Sequence, residues 1–149
     1  MQLSLHADYS LRVLIYLGSH PRRASSTLEI SRAYGISRHH LVRVMHTLAE
    51  HGYVELMPGR RGGVKLSRDP GEIRLGQVVR DAEFNMRLVE CFDAATNTCP
   101  ITKVCGLKSH LRDALEAFLA DLNRHTLAEL LTPERSKKLT DVFVKIAGT

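Results

Sequence analysis

Residues 26–67, STLEISRAYGISRHHLVRVMHTLAEHGYVELMPGRRGGVKLS, contain the pattern that decides the fold. Ser26 and Glu29 have the spacing of a capping box, which predicts the start of a short helix. Gly35 predicts a turn after that helix, and Ser37 is well placed to cap a longer helix behind the turn. Two helices joined by a glycine-containing turn predict a helix-turn-helix unit.

The second half of this stretch predicts a β-hairpin. Residues 52–57 and 64–67 alternate apolar and polar side chains, and a glycine-rich turn separates them. A hairpin directly after a helix-turn-helix is a wing, so the order of the elements predicts a winged helix-turn-helix. Polar and basic side chains early in the longer helix, which would be the third of the domain, and at the wing tip are expected to meet DNA. The candidate DNA-binding residues are Ser37, Arg38, His39, His40, Arg43, Arg60 and Arg61.

Basic charge is concentrated in the first half of the 149-residue chain, whose formal net charge is +5. Residues 1–80 hold twelve Lys and Arg against six Asp and Glu, whereas residues 81–149 hold nine against ten. This asymmetry favours a polyanion as partner of the first half. No apolar run approaches the roughly 20 residues of a membrane span, and no signal-peptide pattern is evident. We therefore expect a cytoplasmic protein.

The remaining apolar periodicity predicts further helices. A first helix is expected over residues 3–18, and Pro70 has the position of a helix start before a fourth helix. A stripe from Leu107 to Leu122 predicts a helix of about 20 residues, which is a candidate dimerisation helix. Packing of this helix onto its own domain is the alternative. A last short helix is expected after Pro133.

These elements predict a mainly α protein with a small β-hairpin, organised in three parts. Residues 1–80 form a winged helix-turn-helix DNA-binding domain. Residues 81–131 contain a cysteine loop and the long dimerisation helix, and residues 132–149 form a C-terminal helical extension.

The three cysteines, Cys91, Cys99 and Cys105, all lie in one irregular segment. Their spacing, C-x7-C-x5-C, differs from the C-x2-C pairs of structural zinc sites and from the tight ferredoxin run. Clustered thiols favour a metal, cluster or redox role. Three thiolates leave one ligand position to fill. The candidates for it are Asp8, His6, Asp93 and His110.

Two other functions of the loop stay open at this point. A zinc-stabilised regulator would use the three cysteines with His110, and a redox switch would pair two cysteines as a disulfide. No Ser-His-Asp, P-loop or dinucleotide signature is evident, so we do not expect an enzyme. Asp8 lies four residues before Arg12, so these two side chains can share one helix face.

Four segments carry a resemblance to a known family. They are LSLHADYSLRVLIYL at residues 3–17, the stretch at residues 36–67, IRLGQVVRDAE at residues 73–83, and LVECFDAATNTCPITKVCGLKSHLRDALEAFL at residues 88–119. In these segments the chain resembles the Rrf2 family of bacterial winged-helix regulators, and within it the nitric-oxide-sensitive repressors.

The resemblance implies a homodimer in which the three cysteines hold an iron–sulfur cluster, with [4Fe–4S] favoured over [2Fe–2S]. It makes Asp8 from the partner subunit the fourth ligand. Arg12, which can share a helix face with Asp8, is the residue that we expect to couple this ligand to DNA binding. Iron–sulfur assembly regulators of the family carry a histidine where this chain has Lys108, which favours the nitric-oxide-sensitive group.

The function expected from the resemblance is repression of transcription from a near-palindromic operator on double-stranded DNA. Nitric oxide would be the signal that nitrosylates the cluster and releases the DNA. Iron-responsive relatives share the cysteine pattern, so sensing of iron or of cluster status is the alternative.

Overall fold

The computed structural model describes residues 2–21, 23–59 and 62–147, and over these residues the chain is mainly helical with one two-stranded antiparallel sheet. This confirms the predicted fold class. The elements are α1 Leu5–Ser19, α2 Thr27–Tyr34, α3 Arg38–Glu50, β1 Val54–Met57, β2 Gly63–Leu66, α4 Leu75–Ala82, α5 Leu107–Leu122, α6 Leu127–Leu130 and α7 Pro133–Ala147. Short 3₁₀ turns occupy Pro70–Glu72 and Glu90–Phe92.

The helix-turn-helix forms as its capping residues predict. The Ser26 hydroxyl accepts from the Glu29 amide at 3.2 Å, and the Glu29 carboxylate accepts from the Ser26 amide at 2.6 Å. Gly35 ends α2 with a φ of 65°, a left-handed conformation that glycine adopts without strain. Ser37 then caps α3, and the buried face of that helix consists of Leu41, Val44, Met45 and Leu48.

Backbone hydrogen bonds of Ser25, just before α2, join the wing to the helix-turn-helix. Strands β1 and β2 pair with Val54 opposite Leu66. Ser25, one residue before the cap of α2, forms an isolated bridge with Val64 of β2. The Ser25 amide donates to the Val64 carbonyl at 2.9 Å, and the Val64 amide donates back at 2.8 Å. These two backbone hydrogen bonds tie β2 of the wing to the start of α2.

Helix α4 begins at Leu75, five residues later than the sequence suggested. Pro70–Glu72 makes only a 3₁₀ turn, and the fully buried Ile73 is extended. The Leu127 amide donates to the Ile73 carbonyl at 2.9 Å, and the Leu75 amide donates to the His125 carbonyl at 3.0 Å. This pairing with a distant segment holds the chain extended where local residues favour a helix.

Helix α5 ends at Leu122 after 16 residues, because the same pairing draws the following residues out of the helix. In its middle, Leu115 and Leu119 are buried against Val79 of α4. At its start Leu107 is 56% exposed. The helix thus packs partly on its own chain, as the alternative interpretation proposed, and leaves its N-terminal end uncovered.

Helix α7 is longer than the short helix expected and folds back onto α1 and α2. Its Phe143 is buried in the same core as Leu14 and Ile30. In the part of the chain that the structure describes, no helix combines the length and apolarity needed to cross a bilayer.

Gly76 is where α4 crosses α5, since a Cβ at this position would overlap the Leu119 carbonyl oxygen. We expect Gly76→Ala to destabilise the apoprotein by about 2 kcal/mol, because the two backbones would have to separate. Gly106→Ala is the matched control, with nothing within 4 Å of the new Cβ. Urea unfolding followed by circular dichroism measures both variants. Equal stability of the two would contradict the close crossing.

Candidate functional site

The first turns of α3 present the predicted DNA-binding side chains to solvent. Arg38, His39, His40 and Arg43 are all exposed. Ser37 is exposed as well, but its hydroxyl already accepts from the His40 amide at 3.3 Å, so it also has a structural role. The predicted Arg60 and Arg61 lie outside the described residues.

A groove of about 340 Å³ separates α3 from the wing. Its α3 wall carries Arg38, Val42 and His46, and its β1 wall carries Leu56 and Met57. Cationic and apolar groups along one groove match a surface that meets both phosphates and base edges.

Helix α1 touches α3 through its first turns. The His6 ring nitrogen lies 3.0 Å from the Thr47 hydroxyl, and the Tyr9 and His40 rings are 6.2 Å apart. Burial, with the nearby Arg43 cation, lowers the pKa of His6. Sequence reasoning missed this contact, because residues 41 positions apart leave no local pattern.

Asp8 lies one turn into α1 and is held by Arg12. The guanidinium donates from Nε to Oδ1 at 3.1 Å and pairs with Oδ2 at 2.7 Å, so the contact is bidentate. The Asp8 side chain is still 38% exposed. The structure thus confirms that the two residues share a face, and it leaves carboxylate surface open to another group.

The cysteine loop is ordered by its own polar side chains. The Glu90 carboxylate accepts from both the amide and the hydroxyl of Thr98. The Thr102 hydroxyl donates to the Cys99 carbonyl at 2.9 Å, and the Cys99 amide donates to Asn97 at 3.2 Å. The loop is therefore shaped by its own polar bonds, and Phe92 at its start packs against the cluster of Val79, Leu115 and Leu119.

The three thiols are chemically suited to soft metal ions. Cys91, Cys99 and Cys105 are free and half-buried, and Cys91 sits in the 3₁₀ turn Glu90–Phe92. Cysteine sulfur is the usual protein ligand of iron–sulfur clusters. Across residues 2–21, 23–59 and 62–147, no three His, Cys, Asp or Glu side chains converge closely enough to hold a metal ion. The donor set fits such a group in kind, although this chain by itself does not gather it.

The other candidate ligands are already engaged or lie on outer surfaces. Asp93 pairs with Arg87 at 2.7 Å and accepts from the Thr96 hydroxyl at 2.8 Å. That hydroxyl is the main cause of a lowered Asp93 pKa. His110 is exposed on α5, and His6 is bonded to Thr47 of α3.

Comparison with known sequences gives one family and several named relatives. A family model described as Rrf2, iron-dependent transcriptional regulator, matches residues 3–133. The HTH-type transcriptional regulator NsrR of Bacillus subtilis (strain 168) is 47% identical over 132 residues, which are 88% of this chain and 90% of the relative. NsrR of Geobacillus kaustophilus (strain HTA426) is 44% identical over 91% of this chain and 93% of the relative.

Solved structures with the same fold are more distant in sequence. T. potens IscR superposes with a TM-score of 0.69 at 22% identity, covering 88% of this chain and 86% of that one. CymR, the global cysteine regulator of B. subtilis, gives 0.63 at 24% identity, covering 87% and 95%. These likenesses support the winged-helix fold.

Proposed function

The chain belongs to the Rrf2 family of transcriptional regulators, and we propose that it is a repressor that senses nitric oxide through an iron–sulfur cluster and leaves its operator when the cluster is nitrosylated. The observation that carries the proposal is the set of three free, half-buried thiols on one self-ordered loop. The relatives named NsrR, 40–47% identical to this chain, support the same assignment.

Cys91, Cys99 and Cys105 would hold the cluster, with Asp8 of the partner subunit as fourth ligand. Asp8 suits this role because its carboxylate is partly exposed and lies on the helix that touches α3. A [4Fe–4S] cluster is favoured over [2Fe–2S]. When bound, the cluster supplies iron, which binds nitric oxide strongly and is then held less well by its protein ligands.

The residues of this chain explain how a change at Asp8 would reach DNA. Asp8 is fixed to Arg12 on α1, and α1 contacts α3 through His6 and Thr47. A shift of α1 would therefore move α3. A hundredfold loss of DNA affinity corresponds to about 2.7 kcal/mol, which is within the usual range of coupling between two sites.

A homodimer is part of the proposal. Ile101, Val104 and Leu107, which flank Cys105, are 55%, 87% and 56% exposed. Large apolar side chains grouped on a surface favour a protein partner. A second subunit covering them would bring its Asp8 towards this cysteine loop.

The three-part organisation is proposed on the same grounds. Residues 1–80 would bind a near-palindromic duplex, with α3 in the major groove and the wing, including Arg60 and Arg61, along the backbone or minor groove. Residues 81–131 would hold the cluster and the dimer interface. Residues 132–149 would form an extension to the first part.

Iron sensing is the second candidate function. The matching family is described as iron-dependent, and the same three thiols would serve an iron-responsive regulator. The two functions differ in one test. Nitric oxide at constant iron releases DNA from a nitric-oxide sensor, whereas only iron removal releases it from an iron sensor.

Cys99→Ala is expected to abolish both the visible cluster absorbance and specific DNA binding, because the cluster loses a ligand. The probe is a duplex that the anaerobic wild-type protein selects from a random library. Gel shifts and absorption spectra measure the two properties, with chelator-treated wild-type protein as the control. Specific binding by the colourless variant would exclude cluster control, and zinc in the purified protein would favour the structural-metal alternative.

Val104→Asp is expected to weaken the dimer at least about tenfold, because it places a charge on a surface that the partner would cover. Val144→Asp on α7 is the control, since Val144 is 65% exposed and lies far from the loop in sequence. Sedimentation velocity over a range of concentrations measures both. Wild-type behaviour of Val104→Asp would place the interface elsewhere.

Arg43→Ala is expected to reduce the slope of log affinity against log salt by about one, because one phosphate contact is lost. Lys137→Ala, on α7, removes an exposed cation away from α3 and should leave the slope unchanged. Fluorescence anisotropy with the selected duplex measures both. An unchanged slope for Arg43→Ala would remove it from the DNA surface.

A further inference from the structure

Helix α7 begins at Pro133, where the family match ends, yet it is docked firmly onto the matched region. Phe143 is only 6% exposed, whereas its neighbours Val142 and Val144 are 50% and 65% exposed. Phe143 is therefore the side chain that packs this part of α7 onto the rest of the chain. The residues around Phe143 are the ones that α7 can influence.

Phe143 lies in an aromatic cluster with Tyr16, His20 and Tyr34. Its ring centroid is 4.9 Å from that of Tyr16 and 5.3 Å from that of Tyr34. The Tyr34 contact is edge-to-face at 75°, an arrangement that aromatic quadrupoles favour. Because Tyr34 ends α2 and Tyr16 belongs to α1, Phe143 packs where these two helices meet.

Tyr34 in turn contacts both the backbone and the side chain of Arg12. Its hydroxyl donates to the Arg12 carbonyl at 3.0 Å, and its ring centroid lies 6.0 Å from the guanidinium carbon. Burial, as the main cause, raises the pKa of Tyr34 above its ordinary value, so the phenol remains a donor at neutral pH. Arg12 is thus held at its backbone and faced by a ring at its side chain.

The series of contacts ends at Asp8. Arg12 binds this carboxylate through two nitrogen atoms, and the Tyr9 ring lies 5.8 Å from the same guanidinium. Phe143, Tyr34, Arg12 and Asp8 therefore form an unbroken line of direct contacts from the C-terminal helix to the exposed carboxylate. Energetic coupling between distant sites is carried by continuous contacts of this kind.

We propose that Phe143 and Tyr34 are positioning residues through which α7 holds the Asp8–Arg12 pair in place. The positioning of this pair involves residues of one chain and does not depend on the cluster. An effect of this positioning on cluster retention rests on the proposed function, because such an effect requires Asp8 to be the fourth ligand. Helix α7 then sets how readily Asp8 leaves the cluster, although no residue of α7 would touch it.

The first test uses the apoprotein and so does not depend on the cluster. Exchange of the Arg12 Nε proton with water is measured by nitrogen-15 NMR. Tyr34→Phe keeps the ring and removes the hydroxyl, and Phe143→Leu keeps an apolar side chain and removes the ring, so both should fold. We expect exchange about fivefold faster in each, the effect of one lost hydrogen bond in Tyr34→Phe and of one lost aromatic pair in Phe143→Leu. Val144→Ala is the control and should match the wild type.

The double variant Tyr34→Phe/Phe143→Leu shows whether Phe143 acts through Tyr34 or independently of it. If Phe143 acts through Tyr34, the double variant exchanges no faster than the more affected single variant. Unchanged exchange in both single variants, or a double effect equal to the product of the single effects, overturns the proposal.

The second test follows cluster loss to a chelator in the holoprotein by absorbance. We expect Phe143→Leu to lose the cluster about fivefold faster than Val144→Ala, in line with the exchange expected when one aromatic pair is lost. Faster exchange with unchanged cluster loss would uphold the positioning of Asp8 and Arg12 and would contradict Asp8 as a ligand.

Discussion

Helix α1 is buried among α3, α4, α6 and α7. This burial is the constraint on which both parts of the candidate site depend, namely the exposed surface of α3 and the Asp8–Arg12 pair. Ala7, Val13 and Leu14 have no exposed surface, and Gly18 leaves room for Leu131 to lie directly against the backbone. We expect a helix enclosed in this way to shift as a unit, since close-packed interiors transmit strain. A displacement of Asp8, near the start of α1, would then be passed to the helices that α1 contacts.

Local patterns were sufficient for the helix-turn-helix and the wing, because their boundaries depend on neighbouring residues. Ser26, Glu29, Gly35 and Ser37 act within a few positions of themselves, and each does in the structure what its chemistry predicts. The starts and ends of α4 and α5 could not be predicted in this way. They depend on pairing of Ile73 with Leu127, and a contact across 54 positions leaves no local trace.

The same difference between local patterns and long-range contacts decides which parts of the candidate site could be predicted. The thiols and Asp8 could be proposed as ligands from the sequence, because few residue types can bind iron. The internal bonds of the loop, such as Glu90 with Thr98, require the folded backbone. The roles proposed for Tyr34 and Phe143 could not be predicted from the sequence, since both look like ordinary core residues until Tyr34 is seen to contact Arg12. In the proposed function the thiols would meet Asp8 of a second subunit, and spacing along one chain does not encode such a contact.

The bridge between Ser25 and Val64 has a consequence for the proposed binding of DNA. Because Ser25, just before α2, is hydrogen-bonded to β2 through its backbone, the helix-turn-helix and this strand are held as one unit. If α3 binds in the major groove as proposed, the contacts of α3 and of the wing would keep a fixed rotational relation around the duplex axis. One base pair inserted between these contacts would rotate one contact site relative to the other, and the Ser25–Val64 pairing would oppose a matching movement of the wing. The spacing within each half-site would then be recognised as well as its bases.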